Sequence, residues 1–212
     1  MNEAYIVSTA RTPIGKLGGC LRHCSPVDLG AHAMRATLAR AGLPGEVLDL
    51  TIFGNVLSAG HGQLIPRQAA LAAGIPATVD GYALDLVCSS GMMAVMNAAP
   101  LIKAGEADLV LAGGIESMSQ AAVLLPRQSG GSRMNRLSGS ASVYNSVTYD
   151  GLTDPITGEG MGVEAERLGA EYGLARSELD AVAVESHRRA HAATVTGLFA
   201  NEIAPIDLNT GK

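Results

Sequence analysis

The sequence predicts an α/β fold, a mostly parallel sheet with helical layers, on three observations. Short runs of valine, isoleucine and leucine recur with little polar alternation, as in strands covered on both faces. Segments of helical periodicity separate these runs, and strands alternating with helices pair in parallel through crossovers. Of the 212 residues, 47% are hydrophobic but only 3% aromatic, and tryptophan is absent. The core must therefore be small and aliphatic, which suits helices packed closely on a sheet better than an aromatic-rich sandwich.

Strands are expected at Tyr5–Ser8, Thr51–Phe53, Leu84–Val87 and Leu109–Ala112. The first helix has an explicit start, with Ser25 as cap, Pro26 in the first turn and Asp28 three residues after the cap. Ala31, Met34, Leu38 and Ala41 recur at helical spacing, and Gly42 supplies the stop. A second helix follows Pro66 through RQAALAA to Gly74, and another runs from Gly91. Beyond Met118 the texture changes. Residues 126–160 are rich in Gly, Ser, Asn, Thr and Arg without sustained periodicity, and read as a long, functional kind of excursion. Two helices follow, one from Gly162 to about Tyr172 and one from Ser177, with Asp180 completing a capping box. Residues 1–118 thus form an α/β unit, and residues 119–212 a loop domain.

Charge and composition exclude several classes. The net charge is −5, with no basic run to track a phosphate backbone, so nucleic acid is not an expected partner. Charged residues and glycines interrupt every apolar stretch before it reaches membrane-spanning length. MNEAYIVSTARTP lacks the basic start and apolar middle of a secretory signal. Three cysteines cannot all pair within one chain, which points to the reducing cytoplasm. Cys20, His23 and Cys24 have ligand character, but no fourth ligand is evident and a loop is the better reading; no metal is expected. His187 and His191 lie four apart without the glutamate of a metalloprotease motif, as on a solvated helix face. Gly15-Lys16 lacks the rest of a phosphate loop. Arg127, Arg133 and Arg136 are read as charged loop residues as readily as phosphate or subunit contacts.

One position carries chemistry. In ALDLVCSSGMMAV, Cys88 stands where an apolar run hands over to a helical one. A thiol attacks as its thiolate, and the free amides and positive end of a helix favour that ion. Ser89, Ser90 and Gly91 are small enough to let an acyl group approach the backbone, and the Cys88 amide is placed to support an oxyanion. The competing reading is a thiol packed in a sheet-to-helix turn, a frequent fate of cysteine.

The wider sequence resembles the thiolase family of acyl-coenzyme A acyltransferases. The resemblance rests on CSSGMMAV, IKAGEADLVLAGGIESMS, IVSTARTPIGKLGG, IFGNVLSAG with GQ and RQAAL, DGLTD and MGVEAE, in the family's order along nearly the whole chain. It implies a thiolase-type fold, represented by its first half, and acyl transfer through an acylated Cys88. Acetoacetyl-coenzyme A is the first candidate among 3-ketoacyl substrates. Leu152 and Met161 match segments that help line the pantetheine channel, and Gly113-Gly114 matches a segment near the reaction centre. Coenzyme A enters as substrate thioester, no cofactor is implied, and a homodimer or homotetramer is expected.

Several positions depart from the family pattern. Asp85 replaces the usual asparagine three residues before the nucleophile, and a carboxylate pointed at the thiol would oppose its ionisation. Ser89 replaces a common glycine, Leu64 replaces the asparagine after GQ, and Gly160 replaces a histidine found in some members. Pro100 falls inside the helix expected after Cys88. The family's Gly-His-Pro histidine, its second cysteine in Cys-x-Gly and an Asn-Glu segment are not found, so the acid–base groups and parts of the nucleotide site are expected beyond Lys212. The alternative to the enzyme is a non-catalytic fragment that binds acyl-coenzyme A or assembles with a partner chain. A ketoacyl synthase shares the layout, but GGIESMS and DGLTD argue against it.

Overall fold

A computed structural model of the chain describes residues 2–125 and 143–208. Its centre is a three-stranded parallel sheet of β1 (Leu50–Gly54), β2 (Asp80–Leu84) and β3 (Val110–Gly114), in the order β2-β1-β3. Helix α1 (Pro26–Ala41) precedes the sheet, α2 (Ile65–Ala72) joins β1 to β2, and α3 (Ser90–Ala104) joins β2 to β3. Adjacent residues of β1 serve opposite layers. Phe53 packs with Met34 and Leu38 of α1, Ile65 and Ala69 of α2 and Leu111 of β3, whereas Ile52 packs with Ala94 and Ala98 of α3. The strand period of two thus distributes one sequence between two helical layers. The α/β class and its parallel sheet are as the sequence predicts.

The start of α1 is also as predicted. Ser25 Oγ accepts the Asp28 amide at 3.0 Å, the Asp28 carboxylate accepts the Ser25 amide at 3.4 Å, and Gly42 closes the helix at φ +66°. Pro100 sits within α3 without ending it. Pro100 and Met96, whose carbonyl loses its amide donor, are both exposed, on the solvent side of α3.

Three expectations need correction. Tyr5–Ser8 is not a strand: among the described residues nothing pairs with it, and Tyr5, Ile6 and Val7 are 73%, 77% and 68% exposed. A β-prone run becomes a strand only where an edge receives its hydrogen bonds. The strand placed at Leu84–Val87 is instead Asp80–Leu84, an edge strand whose side chains are not covered on both faces. The helix placed at Ser177 begins at Arg176, within α5 (Arg176–Val195). There the Glu178 carboxylate accepts the Ala175 amide at 2.8 Å, while Asp180 pairs with Arg176 one turn on.

Beyond residue 118, β4 (Val123–Leu124) and β5 (Tyr144–Asn145) form a small antiparallel pair, followed by a wide turn at Val147–Gly151 and α4 (Met161–Glu171). Arg127, Arg133 and Arg136, and part of the 126–160 excursion, lie outside the described residues. His187 and His191 are exposed on α5, as a solvated face requires. Among the described residues no group of three His, Cys, Asp or Glu side chains is placed to hold a metal ion, and no helix is long and apolar enough to cross a membrane.

Candidate active site

The carboxyl ends of the parallel strands converge on one cleft. β1 and β3 end in register at Gly54 and Gly114, and α3 starts directly against them. Gly91 in the first turn of α3 faces Gly114: a Cβ on Gly91 would lie 3.6 Å from the Gly114 Cα. These glycines let a helix N-terminus, the positive end of its dipole, sit against the strand ends. The cleft they border has a volume of ≈ 310 Å³, and Cys88, Asn55, Glu116 and Leu152 are among its lining residues. Ligands of open α/β sheets bind at this end of the strands.

Cys88 is an exposed free thiol two residues before the first residue of α3. The segment leading to it is not extended, because Val87 has φ +48°. Side chains on both sides of the cysteine hold this turn. The Asp85 Oδ1 accepts the Val87 amide at 2.8 Å. The buried Ser90 hydroxyl accepts the Leu86 amide at 2.8 Å and donates to the Val87 carbonyl at 2.6 Å. Asp85 is thereby turned onto the backbone of its own loop.

The opposite wall is organised by Glu116, just past β3. Its carboxylate accepts the Val56 amide at 2.9 Å, the Leu57 amide at 3.3 Å and the Asn55 side-chain amide at 3.4 Å. Asn55 also donates to the Ile115 carbonyl at 3.0 Å. The sequence marks Ser90 only as a small neighbour of Cys88 and does not mark Asn55 or Glu116. Each stands inside a quoted motif, but only the folded chain brings their polar atoms to one cleft.

The two substrate-binding candidates are placed differently. Leu152 lines the same cleft as Cys88, while Met161 does not; its amide donates to the Leu152 carbonyl at 3.0 Å. Both side chains are part-exposed, at 40% and 42%. The Asp154 turn between them presents its Oδ1 to the amides of Ile156 and Thr157 at 2.6 and 2.9 Å. Among the described residues lining the cleft there is no histidine. His61, nearest in the chain to this wall, engages the Gln120 carbonyl at 3.0 Å instead.

Comparison with known proteins adds the family. Residues 4–212 match the model of the thiolase N-terminal domain. The acetyl-CoA acetyltransferase of Synechocystis sp. is 53% identical over 212 residues, all of this chain and 54% of that protein. The acetyl-CoA acetyltransferase of Escherichia coli is 41% identical over the whole chain and 53% of its own length. The Acat5 thiolase of Ascaris suum, crystallised with coenzyme A, superposes with a TM-score of 0.90 at 38% identity, covering 97% of this chain and 52% of that one. The chain spans about half the length of the curated relatives it matches.

Proposed function

The chain belongs to the thiolase family, and on that premise we propose that it supplies the acyl-accepting half of an acetyl-CoA C-acetyltransferase. The observation that carries this reading is the exposed Cys88 thiol in a cleft at the N-terminal end of α3. In the first step the Cys88 thiolate attacks the thioester carbonyl carbon of acetyl-coenzyme A. A new carbon–sulfur bond forms to Cys88, the bond to the coenzyme A sulfur breaks, and coenzyme A leaves as a thiolate that takes up a proton. In the second step the α-carbon of another acetyl-coenzyme A, having lost a proton to a base, attacks the acyl-cysteine carbonyl. A carbon–carbon bond forms, Cys88 leaves as thiolate, and acetoacetyl-coenzyme A is released. Dividing one transfer into two displacements is what the nucleophile contributes. The reverse sequence is thiolysis.

Leu152 and Met161 border the pantetheine path in this reading, with Leu152 nearer the thiol. Residues 1–118 carry the nucleophile and residues 119–212 the loop domain. The base that takes the α-proton is not among the described cleft residues, and the family pattern places it in the half not matched here. The three free thiols suit the cytoplasm. The exposed Tyr5, Ile6, Met92 and Met96 suit a chain that assembles as a homodimer or homotetramer.

Incubation with acetyl-coenzyme A, followed by peptide mass mapping, tests the reading. One acetyl group is expected on the Cys88 peptide, absent in C88S and sparing Cys20 and Cys24. Acetylation that ignores Cys88 overturns it. A second reading, acyl-coenzyme A binding without transfer, is favoured by the described residues lining the cleft, which include no histidine. It predicts calorimetric binding of acetyl-coenzyme A with no acyl-cysteine.

A further inference from the structure

We propose that Asp85 and Ser90 are positioning residues that hold Val87 in a left-handed conformation and thereby set the placement of the Cys88 thiol in the cleft. The inference rests on the acyl-cysteine reading above and concerns how its nucleophile is presented.

A valine at φ +48° is a genuine outlier, because its branched Cβ crowds the backbone there. Such a conformation persists only where the surroundings over-determine it. Here they do. The Asp85 Oδ1 takes the Val87 amide at 2.8 Å, and the Ser90 hydroxyl takes the Leu86 amide at 2.8 Å while giving its proton to the Val87 carbonyl at 2.6 Å. Both peptide groups of Val87 are therefore clamped, one from three residues before Cys88 and one from two residues after it. Backbone bonds from Ser89 to the Leu86 carbonyl and from Ser90 to the Val87 carbonyl, each 3.1 Å, complete the turn. Relaxing Val87 to an extended φ would rotate the peptide that enters Cys88 and swing its side chain relative to the start of α3. The clamp uses Asp85 as a hydrogen-bond acceptor, not as a charge. Asparagine offers the same Oδ1, so the family's usual residue and this chain's aspartate perform one task.

The test uses the full chain with Cys20→Ala and Cys24→Ala, so that Cys88 is the sole thiol. Two rates are read: single-turnover acetylation by acetyl-coenzyme A, and alkylation by iodoacetamide. D85N keeps both rates within about twofold of the parent, because the acceptor survives. D85A slows acetylation by about tenfold or more, the scale of releasing one strained backbone state. Adding Val87→Gly to D85A restores the rate, since glycine takes positive φ without a clamp. A merely structural role for Asp85 predicts no such rescue. Parent-like rates in D85A, or a D85A/V87G double variant as slow as D85A, overturn the proposal. Should D85A fail to fold by circular dichroism, Ser90→Ala with and without Val87→Gly poses the same question. If the parent takes no acetyl group while alkylation follows the pattern above, the acyl-cysteine reading falls and the clamp stands.

Discussion

A Cβ built on Gly54 would lie 2.5 Å from the Cβ of Ser90 and 2.6 Å from the amide nitrogen of Gly91. The end of the central strand and the first turn of α3 are thus in backbone contact, and the cleft is shaped by that contact. Gly54→Ala must push the helix start away from the sheet. The expected cost is about 1–3 kcal/mol in urea unfolding, with slower alkylation of Cys88. A variant of unchanged stability and reactivity would mean that the helix start yields freely.

Leu64 caps α2 in a left-handed conformation, at φ +50°, with no side-chain hydrogen bond to the helix amides. Asparagine tolerates that backbone better than leucine; Pro66 has no amide and the Arg67 amide already donates to the Leu64 carbonyl at 2.8 Å, so the gain is conformational. Leu64→Asn should therefore stabilise the chain by about 0.5–1 kcal/mol, a rise of about 1–4 °C in Tm by scanning calorimetry. Leu64 is 41% exposed, so little burial is lost. A fall in Tm would contradict this account.

The Asp49 carboxylate accepts the amides of Asp108 and Leu109 at 2.8 and 2.9 Å, joining the approaches to β1 and β3. The Leu109 bond first, then the Asp108 bond, hold its titration below the ordinary value of 3.8. In acid the unfolded chain takes the proton first. The contribution is therefore complete above the ordinary carboxylate range and is lost as pH falls through the lower folded value. Denaturation midpoints between about pH 5 and 2 should fall less steeply in Asp49→Asn than in the parent. Equal slopes would remove Asp49 from the acid transition.

Arg40 donates to the carbonyls of Thr9, Glu202 and Ile203 at 2.8, 2.9 and 2.8 Å. One side chain of α1 thereby ties the N-terminal segment to the end of the described chain, beside the Ala204 amide that donates to the Arg11 carbonyl at 2.7 Å. Arg40→Ala should cost about 1 kcal/mol, since water reaches these carbonyls, and should speed amide exchange at Ala204. Unchanged exchange there would show that the Arg11 contact holds the segment unaided.

Legibility in the sequence depended on the range of the interactions and, at short range, on whether they follow a helix or capping pattern. The box at Ser25 and Asp28, the stop at Gly42 and the helix around Met34 and Leu38 all arise within one or two turns, and each was readable. The end of the strand before Cys88 was not: Leu84, Leu86 and Val87 are aliphatic, yet the strand ends at Leu84 because the Asp85 and Ser90 side chains take the next amides. Tyr5–Ser8 likewise has strand character and no ladder among the described residues. Asn55 and Glu116, 61 residues apart, meet only because β1 and β3 are neighbours.

By itself the sequence determined the family and the α/β class and singled out the cysteine on which the proposed chemistry is centred, because composition, capping and motif order are properties of the chain read locally. Tertiary structure alone decided where β2 stops, which polar groups share that cysteine's cleft, and that a valine beside it is held at positive φ. The cleft's polar groups meet through contacts between segments far apart in the chain, whereas the Val87 turn is set within a few residues, by Asp85 and Ser90 side chains that take backbone amides outside any helix or strand period.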